Sequence, residues 1–204
     1  VNFKVGTGVT IATTSGVATF RSGRIDVGDS LQNTSIGELA GDAHTTGNAN
    51  VAVGYEALTA NTTGGQNTAV GYVALAANTT ATRNTAVGYE ALTTTTTGAN
   101  NIGVGYRALY LNTTGKDNVS IGYKNLDANT TGSQNTAVGR ATLGANTTAS
   151  GNTAIGYAAL DANTTGQYNV GVGNSALGAS TTANNNTAVG YQALNANTTG
   201  AQNT

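Results

Sequence analysis

The stretch NTAVGYVALAANTTATR (residues 67–83) is one copy of a 17-residue repeat that runs from Asn33 to the end of the chain without insertion or deletion. Asparagine opens every copy, so positions in the repeat are counted with Asn33 at position 1. A fixed period much shorter than a domain is typical of a solenoid, in which each repeat forms one coil. The sequence therefore predicts a rod, and a function that depends on surfaces rather than on a pocket.

The composition favours an ordered, nearly uncharged β-structure. Charged residues make up 8% of the 204 residues, and the formal net charge is −1. Disorder is disfavoured, because disordered chains combine high net charge with few aliphatic residues. Proline is absent, which is expected where most backbone N–H groups enter a continuous hydrogen-bond ladder. Without cysteine, the chain contains neither disulfides nor thiolate metal sites.

The order of large and small residues predicts strands with two unlike faces. Position 4 is always Val or Ile and is followed by Gly, position 3 is always Ala, Gly or Ser, and Leu holds position 9 in every coil except the first. Successive side chains of a strand point to opposite faces. We expect a parallel β-solenoid of about ten coils, with two strands per coil around a thin core. The predicted core ladder comprises Val53, Val70, Val87, Val104, Leu58, Leu75, Leu92 and Leu109.

The small residues at positions 3 and 5 predict a contact between chains. A roll this thin buries little apolar area per residue, so a single chain would be only marginally stable. Small side chains allow another sheet to approach closely, and we therefore predict a homo-oligomer, taken as a trimer. The candidate inter-chain residues are Ala69, Gly71, Ala86, Gly88, Ala137 and Gly139.

Identical residues in successive coils predict further ladders. Stacked Asn and Thr side chains can hydrogen-bond along the axis. Tyrosines at position 6 predict an aromatic row from Tyr55 to Tyr123, interrupted later by Arg140 and Asn174. We interpret this row as stacking between coils, and a sugar-binding strip is the alternative. The Thr-Thr pairs at positions 13 and 14 give a second alternative, an ice-binding surface, although they flank a turn.

The sequence contains no recognisable catalytic, cofactor-binding or metal-binding motif, so we predict that the protein is not an enzyme. His44, the single histidine, stands where later repeats carry Asn, and we interpret it as a turn variant. Near-neutral charge disfavours binding to nucleic acid or to an anionic membrane surface. No stretch approaches the roughly 20 apolar residues of a membrane span, so no membrane insertion is expected in this segment.

Residues 1–32 do not follow the repeat. Two β-rich stretches between Val9 and Phe20, separated by Ser15 and Gly16, predict a β-hairpin. We expect this segment to cap the first coil, because a bare coil edge invites further strand addition. The predicted organisation is a capping module at 1–32 and a solenoid shaft at 33–204.

The run N-T-A-V-G-Y-x-A-L, as in Asn67 to Leu75 and Asn186 to Leu194, resembles the head repeats of trimeric autotransporter adhesins. Its longer form with A-N-T-T-G resembles repeats of bacteriophage and bacterial proteins of the tail-fibre-like kind. The resemblance covers residues 33–204 and implies a trimeric, left-handed parallel β-roll on an extracellular surface. The adhesin coil is shorter than 17 residues, so the turns of the two repeats differ.

Two main functional hypotheses follow. The first is the structural shaft of an extracellular fibre on a virion or cell surface, such as a phage tail fibre that attaches to a host. The second is a trimeric cell-surface adhesin whose rod itself binds a receptor or glycan. The exposed repeat positions vary without a recurring chemical theme, and this favours the shaft.

Overall fold

The computed structural model describes residues 31–204 and shows ten parallel strands in one sheet. Each strand pairs only with the strands of the preceding and following coils, in the order β1 to β10. The predicted hairpin between Val9 and Phe20 lies outside the described residues. The strands are β1 (Thr34–Ile36), β2 (Val51–Val53), β3 (Thr68–Val70), β4 (Thr85–Val87), β5 (Ile102–Val104), β6 (Val119–Tyr123), β7 (Thr136–Arg140), β8 (Thr153–Tyr157), β9 (Val170–Val172) and β10 (Thr187–Val189).

The strand register follows the sequence repeat. Ala52 pairs with Ala69, and Val53 pairs with Val70, so each residue lies beside its equivalent in the next coil. The same offset holds from the first pair of strands to the last. The prediction of an all-β parallel solenoid with one coil per repeat is therefore confirmed.

The leucine row forms the core, but the valine row does not, so the core prediction was half wrong. Leu58 and its equivalents are fully buried from the second coil onward until Leu177. Val53, Val70 and Val104 are only partly buried, and Val87 is 36% exposed, because position 4 points away from the core.

The predicted inter-chain face was also wrong, because position 3 points into the chain's own core. Ala69, Ala86 and Ala137 have no exposed surface and pack within the leucine cluster. A Cβ added to Gly103, at the same position, would lie 3.0 Å from Leu92 Cγ. The leucine side chain thus occupies the space across the coil, and only a hydrogen or a small side chain fits opposite it.

The glycines at position 5 serve the next coil of the same chain rather than a neighbouring chain. Gly71, Gly88 and Gly139 have φ angles of +141°, +138° and +132°, a conformation that side chains disfavour. A Cβ on any of them would collide with the carbonyl oxygen of the equivalent glycine in the next coil. Glycine is therefore required both by the backbone conformation and by the spacing between coils.

The second segment of each coil is a turn, not the predicted second strand. Positions 7 and 9 have positive φ, as in Glu56 and Leu58, both at 52°. Their backbone groups still bond between coils, since Glu56 N–H donates to Glu38 O at 3.0 Å and Leu58 N–H donates to Ala74 O at 3.0 Å. A non-glycine residue in this conformation costs about 1–2 kcal/mol. Burial of a leucine side chain yields about 1.5–3 kcal/mol, which offsets that cost.

Two buried asparagine ladders connect the coils. At position 1, the Asn67 N–H donates to Asn50 Oδ1 at 2.9 Å, and its Nδ2 donates to Ala81 O at 2.9 Å. At position 12, Asn78 Nδ2 donates to Asn61 Oδ1 at 2.8 Å. The predicted hydrogen bonding of stacked asparagines is confirmed. At position 12 the ladder is interrupted by Thr95 and Ser180, and the oxygens Asn78 Oδ1 and Asn163 Oδ1 that face these breaks are buried without a hydrogen-bond partner.

Candidate functional surface

One side of the sheet presents a continuous row of large residues to the exterior. We call it the outer sheet face and define it by positions 2, 4 and 6 of each coil. The small residue at position 3, between two of these rows, points into the core. In β6, β7 and β8 the strand extends as far as position 6, so all three rows belong to the sheet. Ile121 is 40% exposed and Tyr123 is 44% exposed, whereas Ser120 between the outward rows is fully buried.

The tyrosines of the outer sheet face form a stacked row, as predicted. The ring centroids of Tyr55, Tyr72, Tyr89, Tyr106 and Tyr123 are separated by 5.0–5.4 Å, with interplanar angles of 8–12°. Within this row, both faces of each inner ring are covered by neighbouring rings, and the ring edges point outward. A sugar stacks on a ring face, so this geometry disfavours the alternative of a sugar-binding strip.

Arg140 takes the place of a tyrosine in the seventh strand and continues the row. Its guanidinium carbon lies 5.4 Å from the Tyr123 ring centroid and 5.6 Å from that of Tyr157. A guanidinium between two aromatic faces is a favourable cation–π arrangement. The row therefore tolerates a change from a ring to a planar cation.

Two phenols of the row, those of Tyr55 and Tyr89, have a raised pKa. A hydrogen bond with Glu56, together with the charge of that carboxylate, raises the pKa of Tyr55 above its ordinary value of 10.0. The charge of Glu90 raises the pKa of Tyr89 in the same direction. Both phenols are exposed, and the two neighbouring carboxylates keep these two side chains uncharged at neutral pH.

A second regular surface lies at the turn of positions 13 and 14. Both positions carry Thr in all ten coils. At position 13 the hydroxyl donates to the carbonyl oxygen of its equivalent, as from Thr62 Oγ1 to Thr79 O at 3.1 Å. At position 14 the threonines, from Thr46 to Thr199, are exposed in every coil.

Two half-buried carboxylates lie at position 10. Desolvation raises the pKa of Asp127, against the charges of Arg107 and Lys124, which lower it. Desolvation, followed by the charge of Asp127, raises the pKa of Asp161, while a hydrogen bond from the Gly144 backbone opposes the shift. These groups are separated along the rod and do not form a paired acidic site.

Residues 31–204 contain no ligand-sized pocket and no group of three or more His, Cys, Asp or Glu side chains that could hold a metal ion. Nor does this part of the chain contain a helix long and apolar enough to cross a membrane. Most of the large hydrophobic residues that are exposed in this region lie on the outer sheet face.

Sequence reasoning assigned the valine row to the interior and so missed the outer sheet face as a surface. The available signal was size complementarity, because a leucine at position 9 and a residue no larger than Ala or Ser at position 3 together fill one thin core.

Comparisons with known proteins give no match, whether with a protein-family model, a curated protein or a solved structure.

Proposed function

We propose that the chain is the structural shaft of an extracellular fibre, of the kind that carries an attachment tip on a phage tail fibre or a similar appendage. The observation that carries this proposal is the uninterrupted pairing of ten parallel strands, each contacting only its neighbours along one axis. Ten coils at about 4.8 Å each give a rod about 48 Å long. A rod of this kind fixes the distance between whatever is attached to its two ends. Its length changes by one coil for each repeat that is added or removed.

The composition of the ladders fits a structural role. The core consists mainly of Leu, Ala and Asn rows that recur from coil to coil, so most coils are held to the next by similar contacts. Residues that differ between coils lie mainly on the surface, at positions such as 7, 10, 16 and 17. An extracellular location and a homo-oligomeric, trimeric assembly follow from the resemblance of the N-T-A-V-G-Y-x-A-L run to fibre and adhesin repeats.

Changing the number of coils tests the shaft. Deletion of residues 118–151 removes two whole repeats and keeps the phase of the remaining coils. We expect small-angle scattering to give a rod shorter by about 10 Å with an unchanged cross-section. A collapse of the β-sheet signal, or a length that does not follow the number of coils, would contradict the proposal.

The same deletion distinguishes the shaft from an adhesin that binds along its rod. An adhesin with repeated sites loses avidity as coils are removed. For a shaft, binding to glycan arrays or to host cell surfaces should not depend on the number of coils. Binding by the 204-residue chain that weakens markedly after the deletion would favour the adhesin.

Ice binding is a second candidate, and one observation favours it. The exposed threonines at position 14 recur at equal steps along the rod, and no other residue type occurs at this position in any of the ten coils. Thermal hysteresis of the parent protein, and its loss in a Thr114→Lys, Thr131→Lys variant, would support this function. The absence of hysteresis in the parent would remove it and leave the shaft unaffected.

A further inference from the structure

The outer sheet face carries Val or Ile at position 4 of all ten coils, and these side chains are partly or well exposed; position 2 is Thr in six of the coils. Its exposed residues include Ile36 at 51%, Ile102 at 39%, Ile155 at 39% and Val189 at 69%. In ordinary monomers a contiguous apolar patch seldom exceeds a few hundred Å², and larger patches mark interaction sites. This row of exposed aliphatic side chains is therefore a candidate interaction surface.

The charge pattern restricts the chemistry of that partner. In ten coils no charged residue occurs at position 2 or 4, and position 6 carries only Glu38 and Arg140. Charged residues are instead found at positions 7, 10, 16 and 17, outside the face. A strongly charged partner would find almost no charged group on this face with which to form an ion pair. An equally uncharged β-sheet surface would pack against it without desolvating ions.

The axial spacing favours a partner with the same repeat. Each row advances by one strand spacing per coil, in strict register from β1 to β10. A second copy of the chain has the same spacing. If the rows of the two copies fit together at one coil, they therefore fit together at all the coils. A partner with a different period would match this face at a few coils only.

The area is sufficient for a stable contact. Positions 2, 4 and 6 span about 13 Å of strand, and each coil adds about 4.8 Å, which gives a footprint of about 65 Å² per coil. Ten coils therefore offer about 650 Å² of flat footprint per chain, and side-chain relief increases the accessible area further. A standard stable interface buries about 800 Å² per partner.

We propose that the outer sheet face is the surface through which this chain binds a second copy of itself. The proposal rests on the function proposed above, since it names the contact that would hold the chains of the shaft together. It replaces the contact predicted at positions 3 and 5, because the chain uses position 3 for its own core and position 5 for the close spacing between its coils. Position 4 forms the centre of the contact, and the tyrosine row at position 6 lies at its edge.

A pair of matched double variants tests this contact. Ile121→Glu with Ile155→Glu places two carboxylates at the centre of the face in the sixth and eighth strands. Thr131→Glu with Thr165→Glu places the same charges in the same two coils, on exposed position 14. Sedimentation equilibrium measures the assembly mass of each protein as a multiple of the 20.1 kDa chain.

We expect the parent and the threonine variant to be oligomers, and the isoleucine variant to associate at least about a hundredfold more weakly, because the contact would bury unpaired charges. A second variant, Ile121→Thr with Ile155→Thr, keeps a residue type that the same sheet already carries at position 2, so its circular dichroism should remain that of the parent. It should also associate more weakly than the parent. These results together would support the outer sheet face.

A monomeric parent would overturn the proposal and would indicate that a different molecule covers the face. So would an isoleucine-to-threonine variant that associates as tightly as the parent, or a threonine-to-glutamate control that dissociates equally. Small-angle scattering on the same samples separates this failure from that of the shaft. A rod of full length in a monomeric parent overturns only the contact, whereas a particle that is not a rod overturns the shaft as well.

Discussion

Replacing Asn118 by Ala tests whether the buried asparagine ladder at position 1 holds the coils together. Asn118 is fully buried, and its Oδ1 accepts from the main-chain N–H of Asn135 at 3.0 Å. Its Nδ2 donates to Asn101 Oδ1 at 3.1 Å and to Gly132 O at 2.9 Å. One side chain therefore joins three consecutive coils, and its removal interrupts the ladder in both directions.

The cost can be worked out group by group. The N–H of Asn135 would be buried without an acceptor, which costs about 1–3 kcal/mol. Gly132 O keeps its bond from Asn129 Nδ2 at 3.0 Å, and Asn101 Oδ1 keeps its bond from the Asn118 N–H at 3.0 Å. Asn135 Nδ2 loses its bond to Asn118 Oδ1 at 3.2 Å but keeps its bond to Ala149 O at 2.9 Å. Loss of these three side-chain bonds therefore adds only about 1 kcal/mol in net terms. The space left by the amide adds about 1 kcal/mol, for a total of about 3–5 kcal/mol.

Urea denaturation followed by circular dichroism, at one fixed protein concentration, measures this difference in the free energy of unfolding. Thr131→Ala is the control, because Thr131 lies in the same coil and its side chain is exposed. The control should stay within about ±0.5 kcal/mol of the parent. If Asn118→Ala unfolds at the same urea concentration as the control, the ladder does not stabilise the rod as argued here.

Three further changes probe the backbone, the tyrosine row and the half-buried carboxylates. Gly156→Ala should destabilise the protein by more than about 3 kcal/mol, since φ is +133° and the new Cβ would lie 2.6 Å from a carbonyl oxygen of the next coil. Gly171→Ala is the control: its new Cβ would lie 3.1 Å from the nearest atom, so stability should change by less than about 1 kcal/mol. Equal urea midpoints for the two variants would refute this. Asn174→Tyr should raise the melting temperature by joining the tyrosines on either side into two new stacked pairs, worth about 1–2 kcal/mol together, and an unchanged or lower melting temperature would contradict the stacking. Asp161→Asn should stabilise the protein at pH 7. Desolvation and the charge of Asp127 raise the pKa of Asp161 in the folded state above its ordinary value of 3.8. The parent therefore loses stability as the pH rises from the ordinary pKa through the folded-state pKa, and the variant does not. The gain should vanish below pH 3.8, and a gain that persists there would show that the carboxylate's charge is not its cause.

The period and the type of each row could be predicted from the sequence. The 17-residue recurrence of asparagine determines which residues pair between coils, and the observed register follows it, as in Ala52 with Ala69. The tyrosine row and the leucine core also follow from recurrence, because equivalent residues must stack when every coil has the same length.

Which face lies inside could not be settled from alternation alone. Alternation shows that Ala86 and Val87 point in opposite directions, but the identities of these two residues favour the larger one inside. The structure reverses this, because Leu92 reaches across the coil and leaves room only for a small side chain at position 3. The candidate contact surface was misplaced for the same reason.

The turn in the second half of the coil also could not be predicted from its residue types. Leu109 and Arg107 have φ angles of 54°, and residues of these types seldom adopt such a conformation. The conformation is imposed by the inter-coil hydrogen bonds and by burial of the leucine, which are properties of the whole coil. A reading of local propensity therefore predicts a strand at this place.

A cryo-electron microscopy map of the assembled 204-residue protein tests the account most directly. We predict one coil per 17 residues with an axial advance of about 4.8 Å, leucine facing alanine inside each chain, and the outer sheet face covered by another copy. A map of single rods with this face open to solvent would contradict the proposed contact, and a map without the coil repeat would contradict the shaft itself.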